Sequence, residues 1–448
     1  MIGGYKGIVD MMISKYVKYI KIEENVYAVF NSLLMKVFYM NEEELNDLIH
    51  GNIIDVDNAL QKAGILIKTE SADKFAKEAI KEELSMRTAK IEIMYMIMST
   101  GCNLGCKYCF VENNQNNNHC EINMTKKVAE TAVDKFSKYI IDQKIDHPLI
   151  VFYGGEPLIN WKEIKDIINY AEQKIGNIRF NMVSNGTLLS KEIVAFLAEH
   201  KVEVGISVDG PQKLNDTNRV YRNSTKSVYN DVMTTINLFE QYDLKFGLSI
   251  TVSPQLLENK EMVLKWLKDI DKKNIFFNLY HFTHKEEWND YYEEACDFLI
   301  EAYEYLSPYG IIDGRITRKI DSFANEVFKF ADCASNGGNQ ITIKPNGNVC
   351  VCQGYLKTDQ YELGSIFDLE FDTLKESDEF KFWINRVPLN REECINCEAL
   401  FICGGGCALQ AEALFDGREE MDIPFCMHSK SSLFWLLKRG YKYYINEI

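Results

Sequence analysis

The sequence predicts an α/β protein built on a partial (β/α)6, TIM-like barrel, with a small strand-and-helix domain before it and a cysteine-rich domain after it. Three observations carry this. From about residue 91 to residue 282, six apolar, strand-like runs alternate with amphipathic helical stretches, the rhythm of parallel strands wrapped by helices. Ahead of them lie short alternating runs punctuated by turn signals. Beyond about residue 308 the rhythm stops and cysteines crowd: eight of the thirteen fall between Cys333 and Cys426.

Residues 1–85 form the first unit. KYVKYIKI, VYAVFNSL and KVFYM read as strands, and NEEELNDLIHG has an acidic first turn, helical spacing of Leu45, Leu48 and Ile49, and a glycine stop. DVDNALQKAG and ILIKT add a helix and a strand. The set resembles a winged-helix-like peptide-recognition module; a structural cap is the plainer alternative. Residues 72–90 form a polar helical connector. Residues 86–307 hold the barrel strands IEIMYMIM, LIVFYGGEP, IRFNMVSNGT, VEVGISVDG, LKFGLSITV and NIFFNLYHF. Helices such as KKVAETAVDKFSKYIIDQ, WKEIKDIINYAEQKI and SVYNDVMTTINLFEQY lie between them. Residues 308–448 form the third unit, and its closing SLFWLLKRGYKYY has helical spacing.

A chain of 448 residues with 46% apolar content fills two or three domains. Its formal charge of −16 argues against a nucleic-acid or anionic-membrane partner, which requires clustered Lys and Arg. The N-terminus lacks an apolar signal core, and no run is long enough to span a bilayer. The expected compartment is the cytoplasm. There thiols stay reduced, so thirteen cysteines point to metal or cluster ligation rather than disulfides.

CNLGCKYCF follows the first barrel strand directly, placing Cys102, Cys106 and Cys109 at a strand's carboxyl end, where barrel chemistry sits. A structural zinc site normally takes four ligands. Three thiols suit a [4Fe–4S] cluster with one iron left for a substrate or cofactor; taken alone, zinc or thiol redox chemistry stays open. The C-x3-C-x2-C spacing, with an aromatic before the last cysteine, resembles the radical S-adenosylmethionine (SAM) signature. The second strand ends in YGGEPL, and Gly154, Gly155, Glu156 and Pro157 match that superfamily's motif for the SAM amino group. Ser184, Asn185 and Gly186, and Ser207, Asp209 and Gly210, end two further strands where the resemblance places SAM ribose and carboxylate contacts. Arg219 or Arg222 offers a carboxylate partner. An N-cap or turn role for Asn185 and Asp209 is the alternative.

Downstream, Cys394, Cys397, Cys403 and Cys407 form C-x2-C-x5-C-x3-C, preceded by Cys333 and by Gly347, which is separated from Cys352 by four residues, and followed by Cys426. The pattern resembles the SPASM domain of peptide-modifying radical SAM proteins. That resemblance implies one auxiliary cluster on Cys394, Cys397, Cys403 and Cys426, and another on Cys333, Cys352 and Cys407. Relatives with a fully ligated second cluster carry a further cysteine before the Gly-x4-C element; the interval Ala334 to Gly347 has none. Either an iron is left for a substrate thiolate, or Cys350, two residues before Cys352, closes the site. Cys120 and Cys296 have no motif partners.

The resemblance implies three [4Fe–4S] clusters, SAM as the source of a 5′-deoxyadenosyl radical, and an electron donor such as flavodoxin or ferredoxin. It further implies a ribosomally made precursor peptide with a leader and a Cys-containing core, crosslinked from cysteine sulfur to carbon. Two rivals are anaerobic sulfatase maturation and carbon–carbon crosslinking. In the former family an Asp follows the Gly-x4-C cysteine, whereas Gln353 stands here. A non-enzymatic iron–sulfur carrier or adaptor leaves the GGEP motif and the open triplet unexplained.

Overall fold

The computed structural model describes residues 11–52, 58–87, 90–113, 121–281 and 288–446. Near the N-terminus β1 (Met12–Ile13) pairs with β5 (Leu66–Ile67), while β2 (Val17–Glu23), β3 (Val26–Asn31) and β4 (Val37–Met40) form an antiparallel sheet in that order. The helix Glu42–Ile49 begins in a capping box: Asn41 Oδ1 accepts from the Glu44 N–H while the Glu44 carboxylate accepts from the Asn41 N–H. Val29, Leu48, Leu60 and Ile65 make a separate small core. The connector helix Glu70–Met86 is tied to this unit by Asp73, which accepts from Ser14 Oγ (2.5 Å) and the Lys15 N–H (3.0 Å).

Six strands then run parallel: β6 (Ile93–Ser99), β7 (Leu149–Gly154), β8 (Arg179–Ser184), β9 (Glu203–Ser207), β10 (Phe246–Val252) and β11 (Asn274–Leu279). The expected barrel of βα units is present. The short β12 (Ile312–Asp313) adds in parallel beyond β11, and β13 (Gln340–Ile343) adds in parallel beyond β6. Antiparallel β14 (Asn348–Cys350) and β15 (Glu362–Ser365) complete one ten-stranded sheet. The cysteine-rich region therefore continues the barrel's own sheet, with Ile341 opposite Met94.

Alternation along each strand sorts two faces. Met94, Met96, Phe152, Phe180, Met182, Ile206 and Ile250 are buried in the main core, where Phe152 stacks on Phe180. Tyr95, Tyr153, Val183, Ser207, Ser249 and Asn278 turn the other way and stay half-buried, so the inner face lines open space. The closing helix Ile423–Asn446 touches each part of the chain. Tyr39 Oη donates to Leu437 O (3.0 Å), Trp435 Nε1 to Glu304 (2.7 Å), and Ser429 Oγ lies 3.5 Å from Cys403 Sγ. Among the described residues no helix is long and apolar enough to cross a membrane.

Candidate functional site

Strand β6 delivers Cys102, Cys106 and Cys109 to its carboxyl end, each partly buried. Their loop is pinned from two sides. On one, the Gly155 N–H donates to Ser99 O and the Glu156 N–H to Gly101 O, both at 2.9 Å. A Cβ on Gly154 would stand 2.2 Å from Ser99 O, and one on Gly155 2.3 Å from Gly101 O, so only glycine lets β7's end lie this close. On the other side, Gly105 and Lys107 donate to Val220 O (2.8 Å) and Asn218 O (2.9 Å), and the Arg222 N–H donates back to Asn103 O (3.1 Å).

Two buried carboxylates brace the loop from below. Glu156 accepts from Leu158 N–H (3.2 Å), Ser184 Oγ (2.9 Å) and the Asn185 N–H (2.8 Å). Burial nonetheless pushes its carboxyl up to about 7. Asn185 in turn donates to Asn103 Oδ1 (2.9 Å) and lies 3.7 Å from Cys102 Sγ. Asp209 accepts from Tyr108 Oη, from Arg219 Nε (3.0 Å) and Nη2 (3.3 Å), and from the Thr251 N–H (3.1 Å). Sequence reasoning named Asp209 and Arg219 separately; the fold makes them one buried ion pair, with Tyr108 against the guanidinium.

Burial pushes the Cys102 thiol up to about 12, and the charges of Glu156, Cys106 and Cys109 add to this. Burial likewise lifts Cys106 to about 11 against the pull of Arg219. Such thiols stay protonated unless a cation joins them, which is the environment of a metal-bound thiolate before its metal arrives. A cavity of about 360 Å³ opens beside Cys102, walled by Asn103, Ile159, Tyr221 and Arg222. Ser207 stands on the barrel's inner face opposite Ser249.

The remaining cysteines fall into two groups, read from whose charge reaches whom. Cys426 is pushed up to about 12 by burial and then by Cys403, Cys394 and Cys397. Cys407 is pushed up by burial, then by Asp422, Cys352 and Cys333. Between the groups, Gly404, Gly405 and Gly406 turn at φ 79°, 95° and 71°, a left-handed run that favours glycine. Buried Lys319 anchors the first group, its Nζ donating to Ile402 O (3.0 Å) and Cys403 O (2.7 Å). No local pattern announced Lys319, because its partners lie some eighty residues on.

Cys350 lies beside Cys352, whose thiol its charge helps to raise. Burial lifts the Cys350 thiol to about 12, and the charges that reach it are Lys344, Glu362 and Glu379. Its Sγ lies 3.5 Å from Cys352 O. Cys296 is buried, and the charges that reach it are Asp297, Arg315 and Glu293; Cys120 lies outside the described residues. Cys333 is exposed as a residue, while burial of its thiol pushes it up. Tyr95 and Tyr153 meet edge-on at 5.9 Å; beyond burial, Tyr153 feels Cys109 and Cys352, and Tyr95 feels Cys352 and Cys333. Among the described residues no three His, Cys, Asp or Glu side chains close on a single ion. A four-iron cluster sets each thiolate on a different iron and so spreads its ligands.

Residues 96–270 match the Radical SAM superfamily, and residues 333–398 match SPASM, an iron–sulfur cluster-binding domain. The chain carries a radical SAM domain and a SPASM domain. These domains imply [4Fe–4S] clusters and SAM. The glycine cradle, the thiol triplet and the adjoining cavity fit both groups. The chain is 25% identical to the radical SAM cyclopropyl synthase TigE of Paramaledivibacter caminithermalis, over 98% of each chain. It is 26% identical to a cysteine-type anaerobic sulfatase-maturating enzyme of Clostridium perfringens, over 74% of this chain and 92% of that one. In fold it is similar to native anSMEcpe with bound AdoMet (TM-score 0.67, 22% identity, 80% of this chain and 100% of that one). It is also similar to Streptococcus suis SuiB bound to precursor peptide SuiA (TM-score 0.55, 15% identity, 93% and 100%).

Proposed function

We propose that this radical SAM enzyme crosslinks a ribosomally made precursor peptide, joining a cysteine sulfur to a carbon of the same chain. In this reading residues 1–85 take the leader, residues 86–307 hold SAM, and residues 308–448 carry two auxiliary clusters, three [4Fe–4S] clusters in all. Cys102, Cys106 and Cys109 hold the first, Cys394, Cys397, Cys403 and Cys426 the second, and Cys333, Cys352 and Cys407 the third. When bound, SAM and the reduced first cluster supply a carbon-centred radical that removes a hydrogen atom from an unactivated carbon.

The protein's own groups orient that chemistry. The Gly154 and Gly155 backbone, held against the Cys loop, offers carbonyls to the SAM ammonium. Ser184, Asn185 and Ser207 line the approach at the ends of β8 and β9. Arg219, held by Asp209, places a cation at Cys106, and Arg222 places another on the cavity wall for the SAM carboxylate. The inner-face rings of Tyr95 and Tyr153 meet edge-on beside thiols of both sites.

The observation that carries the thioether reading is the third group. Cys333, Cys352 and Cys407 gather, the interval Ala334 to Gly347 holds no further cysteine, and Cys350, although its charge reaches Cys352, also lies against Lys344 and Glu362. An iron left open there suits a substrate thiolate. The net change per ring is one hydrogen atom from carbon, one thiol proton, and one electron returned to the protein's clusters. The peptide substrate is supported by the likeness to SuiB bound to SuiA over 93% of this chain. The electron donor in this reading is a flavodoxin or ferredoxin of a reducing cytoplasm.

A second reading, carbon–carbon ring closure, is favoured by one observation, the end-to-end match to a cyclopropyl synthase. Mass spectrometry of a Cys-containing precursor, incubated anaerobically with reduced enzyme and SAM, separates the two. Loss of two hydrogens per ring with thiols that no longer alkylate is the expected result. The same loss with thiols still alkylatable establishes the carbon–carbon reading instead, and a formylglycine product establishes sulfatase maturation.

A further inference from the structure

A lysine occupies a core position. In the helix Gly314–Ala324, the buried residues Ile316, Lys319 and Ser322 recur at a spacing that puts them on one face. Lys319 is 1% exposed there, and lysine is almost never buried so completely without partners. Its Nζ donates to Ile402 O (3.0 Å), Cys403 O (2.7 Å) and Ser429 Oγ (3.4 Å). Three acceptors use every N–H of an ammonium, whereas a neutral amine has only two to give. The side chain therefore keeps its charge in the interior.

That charge is not cancelled. Asp332 Oδ1 lies 3.7 Å from Nζ, but the same carboxylate faces Arg318 Nη1 at 3.7 Å through Oδ2, so two cations share one anion. Phe425 brings no anion; its ring stands 4.4 Å from Nζ as a cation–π partner.

The surplus charge sits against one cysteine group. Cys403 ends the short helix Leu400–Cys403, and Lys319 takes the last two carbonyls of that helix. Ser429 follows Cys426 by one turn on the helix Ile423–Asn446, and Phe425 directly precedes Cys426. Ser429 Oγ accepts from Lys319 and donates to Cys403 Sγ at 3.5 Å. Two hydrogen bonds in series thus join a buried cation to a cysteine sulfur. The other group differs: the Cys407 N–H donates to the Asp422 carboxylate (2.8 Å), which puts an anion at its backbone.

We propose that Lys319, acting through Ser429, is a positioning residue that raises the reduction potential of the cluster on Cys394, Cys397, Cys403 and Cys426, so that this cluster takes up an electron more readily. A fixed positive charge and a hydrogen bond to a ligand sulfur both favour the reduced, more negative state. The inference rests on the cluster assignment proposed above and deepens it.

The test is a redox titration of full-length, anaerobically reconstituted enzyme, followed by electron paramagnetic resonance, with iron counted in each sample. The signal lost or displaced in Cys394→Ala identifies the cluster. In Lys319→Met, which keeps the length and removes the charge, its midpoint should fall by about 59 mV, which is tenfold in the reduced-to-oxidised ratio for one electron. Ser429→Ala should move it the same way by less, and the other signals should stay where they are. A lysine that only holds the fold together changes iron content, not the midpoint of a cluster at full iron. Where Lys319→Met loses iron, Ser429→Ala decides by itself. A midpoint unmoved in Ser429→Ala, or unmoved in Lys319→Met at full iron, overturns the proposal and leaves the cluster assignment standing. If the unaltered enzyme and Cys394→Ala hold the same iron and give the same signals, the cluster assignment fails, and the proposal falls with it.

Discussion

Gly155 shows how far one missing carbon reaches. Its would-be Cβ falls 2.3 Å from Gly101 O, one residue ahead of Cys102. Gly155→Ala should therefore displace the Cys loop, with iron falling from about twelve to about eight per chain as the first cluster is lost. Iron analysis together with SAM-cleavage assays checks this, and full iron with normal cleavage in the variant contradicts it. Asp209 is as exposed to test. Asp209→Asn keeps the shape but leaves the Arg219 charge buried without its partner, a change that costs about 3–5 kcal/mol in comparable pairs, and chemical denaturation of the apoprotein measures it. Asp332 predicts a pH dependence. Burial works to raise its carboxyl, but Lys319, Arg318 and Arg315 outweigh that and hold it down at about 2. A folded value below the unfolded one gives stability that is present above about pH 4 and lost as pH falls towards 2, about 2 kcal/mol in all. Burial lowers Lys319 at the same time, so part of that gain is returned. Acid titration of apoprotein stability should show this slope, and Asp332→Asn should remove it.

At the scale of elements, long periodic segments were legible and short or distant ones were not. KKVAETAVDKFSKYIIDQ reads as a helix from its spacing, and the helix runs Lys126–Gln143 with Thr125 as its cap. Of DVDNALQKAG, residues 55–57 lie outside the described residues, and the described helix spans Ala59–Lys62 after Asn58 at φ 53°. Strand β13 was not read as part of the barrel sheet. Its partner β6 lies some 240 residues upstream, and four residues carry no mark of a pairing made at that distance. The cysteine groups came from the family resemblance rather than from spacing, and the setting of Cys350 was not legible: its strand has a register shift at Val349/Cys350, which breaks simple two-residue alternation towards Cys352. Cys350→Ala should leave both auxiliary clusters and crosslinking intact, and loss of four irons would show that it is a ligand. Deleting residues 1–85 should weaken leader binding, read by fluorescence anisotropy of a labelled leader, while SAM cleavage without peptide persists.

For the whole molecule, one sheet carries the argument. Because β13 pairs directly with β6, the strand that delivers Cys102, Cys106 and Cys109 also bears the region of Cys333 and Cys352 on its flank. The two regions are thus joined through one sheet, where Tyr95 and Tyr153 from adjacent strands pack edge-on. The polar interior explains what sequence could not convey: buried Lys319 finds Ile402 O and Cys403 O some eighty residues on, a pairing that exists only once the chain is folded.

The most direct measurement is 5′-deoxyadenosine released when anaerobically reconstituted enzyme is given dithionite and SAM. The account predicts its formation by the unaltered chain and its absence when Cys102, Cys106 and Cys109 are replaced together by Ala. No 5′-deoxyadenosine from the unaltered chain, or an undiminished yield from the triple variant, would contradict it.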